Sequence, residues 1–230
     1  MRSQDRTIRI RSDERVFLCG KTGSGKTFAA RHICLPLRRL IVLDPKGRID
    51  PEAGEEGWRL LPWDREARML LRNGEPIRAL VRAPIGPGAE DEWDRAYREV
   101  LNAGNATIYI DEVYGVIEGG KPSPYLVALW TRGRELGIGA IGASQRPSWI
   151  PMVLMSEAEH YFAFRLSLLD DRRRMAEMMG QEVLVPIPEG DPHGFHYART
   201  EWNRPDYYAS LPLRQETRRI TSRERAEVAA

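Results

Sequence analysis

The chain has 230 residues, 42% of them hydrophobic, which suits one compact domain, with or without small appendages. A formal net charge of +2 is too mild to argue for nucleic acid from bulk electrostatics, so any such contact has to be local. Cys19 and Cys34 are the only cysteines, the N-terminal "MRSQDRTIRIRSDER" has no apolar h-region, and no run reaches the roughly 18 apolar residues of a membrane span; a soluble intracellular protein without a disulfide framework is expected.

In chain order, "RTIRIR" alternates over Thr7 to Arg11 and predicts a half-exposed strand at a sheet edge. "VFLC" (Val16 to Cys19) predicts a short buried strand, and a helix pattern runs from Lys26 to Leu35, stopped by Pro36. "LIVLD" (Leu40 to Asp44) is a second buried strand. The stretch from Gly47 to Pro76 is hard to read, with one short helix over Arg65 to Leu71. "IRALVRAP" (Ile77 to Pro84) predicts a strand, and Glu90 to Gly104 a helix with Trp93, Tyr97, Val100 and Leu101 on one face. A strand "TIYIDE" (Thr107 to Glu112), a helix from Tyr125 to Leu136 and the strand within "GIGAIGASQRPSW" (Gly137 to Trp149) follow. After Pro151 come a short helix, the strand His160 to Leu166, the helix Asp170 to Gly180 and a closing hairpin strand Gly194 to Ala198. Residues 1–212 are read as one domain and 213–230 as a polar tail. Short apolar strands alternating with helices predict an α/β fold with a mainly parallel sheet. Trp58, Trp63 and Trp93 are read as core aromatics rather than base-stacking platforms, and the four histidines and two cysteines show no metal-ligand spacing.

"GKTGSGKT" matches the P-loop pattern G-x-x-x-x-G-K-[ST] in the context that gives it meaning, after an apolar strand and opening a helix. Gly20, Lys21, Thr22, Gly23, Ser24, Gly25, Lys26 and Thr27 therefore form a candidate phosphate cradle. Its glycines turn backbone N–H groups inward, and the helix N-terminus adds positive potential. Lys26 is expected to reach the β- and γ-phosphates of ATP, and Thr27 to offer its hydroxyl to Mg²⁺. "TIYIDE" then places two carboxylates at the end of a buried strand. Asp111 is expected to hold the metal, and Glu112 to polarise an attacking water, the second acid that transfer to water requires.

A buried glutamine without partners costs about 1–3 kcal/mol, so Gln145 at the end of an apolar strand calls for a ligand. Its amide both donates and accepts and can sense a γ-phosphate; a backbone cap at a strand end is the other reading. Arg132 and Arg134 precede the same strand. A guanidinium supplied by a neighbouring subunit can contribute about 10³–10⁵ in rate in P-loop systems, whereas isolated arginines are more often solvated or ion-paired. "GVIEGGKPSP" (Gly115 to Pro124) reads either as a DNA-gripping loop carrying Lys121 or as an ordinary polar connection. In "DPKGR" (Asp44 to Arg48), Lys46 reads either as a cation that neutralises phosphate or DNA charge or, at least as well, as a solvated turn residue, and it stays outside the catalytic set.

"GKTGSGKT", "VLDPKGR", "IYIDE", "GRELGIGAIGASQRPS" and "FAFRLSLLDDRRRM" together resemble the FtsK/HerA superfamily of ring-forming DNA-translocating ATPases over about Val16 to Gly180. The resemblance implies a RecA-like P-loop fold of the additional-strand type, ATP and Mg²⁺ as cofactors, Gln145 as sensor, and Arg134 or its neighbour as an arginine finger acting in trans. The chain is too short for the membrane domain, linker and winged helix of chromosome translocases. It is similar in size to the minimal genome-packaging ATPases of tailless, membrane-containing viruses. That likeness implies a ring, expected as a hexamer, acting on double-stranded DNA in the host cytoplasm or at the virion, with capsid or internal-membrane vertex proteins as further partners. A conjugation or plasmid-mobilising ATPase, a chromosome-segregation-type DNA pump, a small-molecule kinase and a non-catalytic nucleotide switch remain as alternatives.

Overall fold

The computed structural model describes residues 8–52, 58–83, 88–117, 119–209 and 211. The chain runs through strand β1 (Arg15–Cys19), helix α1 (Lys26–Cys34), β2 (Arg39–Leu43), β3 (Leu61–Pro62), α2 (Arg65–Arg72), β4 (Ile77–Val81), α3 (Ala89–Ala103) and β5 (Thr107–Ile110). It continues with α4 (Pro124–Arg132), β6 (Gly139–Ser144), α5 (Met152–Ser156), β7 (His160–Phe164), α6 (Leu169–Met179), β8 (Phe195–Arg199) and β9 (Asp206–Tyr208). The strands join in one sheet of order β3-β4-β2-β5-β6-β1-β7-β8-β9. Every pair from β3 to β7 is parallel, and β8 and β9 extend it antiparallel.

Parallel strands covered on both faces have to be apolar on both, and β1, β5, β6 and β7 are buried at every position. Alternate side chains feed two cores. Phe17, Ile41, Ile108 and Val81 face Trp93, Tyr97, Leu129 and Trp130 of α3 and α4; Val16, Leu18, Val42 and Tyr109 face Ala29, Ala30 and Cys34 of α1. Helix starts follow local chemistry. Asp64 accepts from Ala67 N at 2.9 Å to open α2, and Ser123 accepts from Leu126 N at 3.2 Å with Pro124 in the first turn of α4.

Ile8 to Arg11 form no strand, a correction to the alternation reading, and Thr7 lies outside the described residues. Ile8 and Ile10 instead pack against the α1-side core, so their alternation reflects burial without a ladder partner. An edge strand arises at Leu61–Pro62, where the apolar signal is only two residues long. The helix expected up to Leu136 stops at Arg132, and a 3₁₀ turn over Gly133–Leu136 leads to Gly137 in the left-handed region at φ 66°. Trp58 and Trp93 are buried, and Trp63 packs against the core. No helix among the described residues is long and apolar enough to cross a membrane.

The strand order matters most for function. β6 lies between β1, which leads into the P-loop, and β5, which ends at the two carboxylates. In a parallel sheet, all three strands deliver their C-terminal ends to the same edge, and ligands of open α/β sheets bind there.

Candidate active site

Between β1 and α1 the chain folds into a cradle. Gly20 (φ 154°) is so enclosed that a Cβ would meet Phe164 Cβ at 2.6 Å and Ser24 Oγ at 2.7 Å. Gly25 (φ 100°) opens α1 from the left-handed region. The loop is tied to its neighbours: Gly20 N donates to Ser144 O at 3.2 Å and Lys21 N to Arg165 O at 2.9 Å. Thr22, Gly23 and Ser24 form the bend, and the first turn of α1 leaves its N–H groups without intrahelical acceptors.

Two features of the cradle ask for an anion. Ser24 is buried with an Oγ that has no partner. Lys26 is also buried, and its Nζ donates a long 3.5 Å hydrogen bond to Lys21 O. Burial holds the Lys26 ammonium below its usual pKa, and the nearby Glu112 carboxylate pulls it back up. The residues therefore fit a triphosphate, whose negative oxygens give both side chains a partner.

Asp111 and Glu112 follow β5 directly. Asp111 Oδ1 accepts from Thr27 Oγ1 at 3.4 Å and from Tyr109 OH at 2.5 Å. Burial, then the Asp111 charge, pushes the Tyr109 phenol well above its ordinary pKa, so it remains a donor that fixes the carboxylate. Thr27 and Asp111 bring hydroxyl and carboxylate oxygens together, a donor set suited to Mg²⁺.

Glu112 is buried and gripped from two sides. Its Oε1 accepts from Ser144 Oγ at 2.9 Å and Gln145 N at 3.3 Å, and its Oε2 from Lys46 Nζ at 2.8 Å. Gln145 Oε1 accepts from Thr22 Oγ1 at 3.1 Å, which answers what the amide binds: the P-loop itself. Lys26, Thr27, Asp111, Glu112 and Gln145 thus converge at one sheet edge.

The basic residues read as candidates lie elsewhere. Arg134 sits before β6, at the opposite end of that strand from Gln145, about 20 Å away at a rise of ~3.3 Å per residue. Its Nη1 pairs with Glu159 Oε1 at 3.2 Å. Arg132 ends α4 near it and is exposed. Within one chain neither joins the cradle. Lys121 is exposed, beyond the 3₁₀ turn Val113–Val116 that follows Glu112, and Glu118 of the same loop lies outside the described residues.

Three contributors stood outside the catalytic set read from the sequence. Lys46 is one. Arg146 and Asp171 are the others: Arg146 Nε pairs with the buried Asp171 Oδ2 at 2.9 Å, while Ser148 N and Oγ donate to Oδ1 at 3.2 and 2.6 Å. The "QRPS" segment is thereby clamped onto α6, which leaves Gln145 aimed at Thr22. His193 also borders the cradle, its Nδ1 3.5 Å from where a Gly25 Cβ would stand. An arginine beside Gln145 and an aspartate inside "LLDDRRRM" were visible as letters, but nothing in their spacing paired them.

No family model matches the chain. Over 170 residues it is 28% identical to the DNA packaging ATPase P9 of Enterobacteria phage PRD1, covering 73% of this chain and 71% of that protein. Among solved structures, the genome packaging NTPase B204 of Sulfolobus turreted icosahedral virus 2, in complex with ATP-gammaS, superposes with a TM-score of 0.68 at 14% identity, covering 88% of this chain and 100% of that one. The pCW3 conjugation coupling protein TcpA, in its monomer form, gives 0.57 at 14% identity, covering 90% and 63%. These structural likenesses establish the fold. With a Gly20–Thr27 cradle, two strand-end carboxylates and an intervening strand, the chain has the fold of the P-loop NTPases and resembles the genome-packaging ATPases of viruses.

Proposed function

We propose that this protein is a ring-forming ATPase that couples ATP hydrolysis to movement of double-stranded DNA into a viral capsid, in the host cytoplasm or at the virion. The observation that carries this reading is the likeness to the phage packaging ATPase over 73% of the chain, supported by the convergence of Lys26, Thr27, Asp111, Glu112 and Gln145 at one sheet edge.

In the proposed mechanism the Gly20–Thr27 loop and Lys26 bind the phosphates and neutralise their charge. Thr27 and Asp111 hold Mg²⁺, which when bound supplies charge compensation at the transferring phosphoryl group. Glu112, fixed by Ser144 and Gln145 N, orients water and accepts its proton at a carboxylate oxygen. Gln145 is poised to exchange its Thr22 contact for the γ-phosphate. Since Arg134 stands at the far end of β6, a catalytic role for it, or for Arg132, requires delivery from a second subunit. Lys121, exposed after the carboxylates, is placed to grip DNA phosphates without reading sequence.

Hydrolysis measured with and without double-stranded DNA tests this. Wild-type turnover is expected to rise with DNA and to lose that rise with salt as phosphate contacts are screened. Arg134→Ala is expected to lower turnover of the assembled protein by about 10³-fold or more, the scale of a trans arginine. Lys121→Ala is expected to lower the ratio of stimulated to basal rate. Turnover indifferent to DNA sinks the translocase reading, and an Arg134→Ala oligomer with full activity removes that residue as the finger.

The fold shared with the conjugation coupling protein favours one other reading, transfer of DNA between cells. Stimulation by purified empty capsids favours packaging, and stimulation by a relaxase bound to single-stranded DNA favours transfer.

A further inference from the structure

We infer that Lys46 is a positioning residue for the hydrolytic glutamate, an inference that rests on the ATPase reading above. Lys46 Nζ donates to Glu112 Oε2 at 2.8 Å. The lysine arrives from the turn after β2, the strand on the far side of β5 from β6, so Glu112 is held between cations and donors from both neighbours of its own strand.

The turn is built to present it. Asp44 is buried, and its carboxylate accepts from Arg48 N at 3.1 Å and Ile49 N at 2.9 Å and pairs with Arg82 Nε at 3.2 Å. Gly47, left-handed at φ 63°, closes the turn by donating N–H to Asp44 O at 3.2 Å. Pro45 packs so tightly on the turn after Glu112 that a Cβ at Gly115 would meet Pro45 Cβ at 2.8 Å. Each residue of "DPKG" therefore either braces the turn or is the lysine it carries. Lys46, Gly47 and Arg48 are exposed, so the turn is solvated as the sequence reading allowed, but its lysine head is directed onto Glu112.

The consequence is geometric. A carboxylate offers about four lone-pair sites. Ser144 Oγ and Gln145 N take two on Oε1, and Lys46 takes one on Oε2, leaving one for the water that Glu112 is to orient. Without Lys46, Oε2 can swing about the terminal torsion, which has a broad, soft preference. Misplacement of a reacting group by about 1 Å costs on the order of 10²-fold in rate.

The test is steady-state hydrolysis over a range of Mg²⁺-ATP concentrations by the purified full chain, as wild type, Lys46→Met, Lys46→Arg, Glu112→Gln and the double variant Lys46→Met/Glu112→Gln. Lys46→Met is expected to lose about 10- to 100-fold in kcat while KM and the affinity for a fluorescent ATP analogue stay within about twofold. Lys46→Arg is expected to recover most of the rate, and Lys46→Met to cost nothing further in the Glu112→Gln background. Unchanged or faster turnover by Lys46→Met overturns the inference, as does a full additive loss in the double variant or a loss confined to KM. Absence of hydrolysis by the wild type overturns the ATPase reading and the inference with it.

Discussion

Glu112→Gln is expected to bind Mg²⁺-ATP as the wild type does and to release phosphate about 10²–10⁴-fold more slowly, the range that a positioned general base contributes. The amide keeps the shape of the side chain, so Ser144 Oγ and Gln145 N retain an acceptor in the amide oxygen where Oε1 stands. What it loses is the capacity to take a proton. The amide NH2 then stands where Oε2 accepted from Lys46, so that hydrogen bond is lost as well, while the Gly20–Thr27 cradle is untouched. Parallel phosphate-release and equilibrium-binding measurements check both halves. Unimpaired turnover would assign the water to another base, and lost binding would make Glu112 part of the nucleotide pocket. A nucleotide-switched assembly protein would respond to neither change in its assembly.

Trp130→Ala is expected to cost about 3–5 kcal/mol of stability, the range for removing a large buried aromatic. Trp130 is fully buried on α4, against the strand that separates the P-loop strand from the carboxylate strand. A Cβ on Gly142 of β6 would come within 2.9 Å of Val113 Cγ2 and 3.2 Å of Trp130 Cζ2, so the glycine leaves room for both side chains. The main chain is tied as well, because Arg15 Nε, from the start of β1, donates to Trp130 O at 2.5 Å. The void left by the ring therefore lies beneath the strand that delivers Ser144 and Gln145. A denaturant midpoint that falls with the slope unchanged checks the prediction, and a loss under about 1 kcal/mol would mean that α4 and β6 close over the gap.

How much of this was legible in the residues follows from the range of each signal. β1, β2, β5 and β6 read correctly because a strand covered on both faces has to be apolar throughout, and such runs end where the chain turns. The strand-to-helix turn at Gly20–Thr27 and the strand-end placement of Asp111 and Glu112 were legible because each is a contiguous motif beside such a strand. Ile8 to Arg11 misled because alternation reports burial of one face and not the presence of a hydrogen-bonded neighbour. Lys46 was underread for the opposite reason. Its partner is 66 positions away, and only the order β2-β5-β6 brings the two together. The same holds for Arg146 and Asp171, which meet across 25 positions to clamp the segment carrying Gln145. Gln145 was read as a buried amide in need of a partner; it is only half-buried, because it lies just past the last residue of β6, and Thr22, 123 positions away, donates to it at the surface.

In the proposed mechanism one ATP is held by Lys26, Thr27 and Asp111, with Glu112 and Gln145 turned toward its γ-phosphate. The most direct measurement is a crystal structure of the protein grown with Mg²⁺ and a non-hydrolysable ATP analogue. The phosphates are expected against Ser24 and Lys26, the metal between Thr27 Oγ1 and Asp111, and the Gln145 amide moved from Thr22 onto the γ-phosphate. Nucleotide bound away from Gly20–Thr27, or a metal ligated without Thr27 and Asp111, would contradict that mechanism.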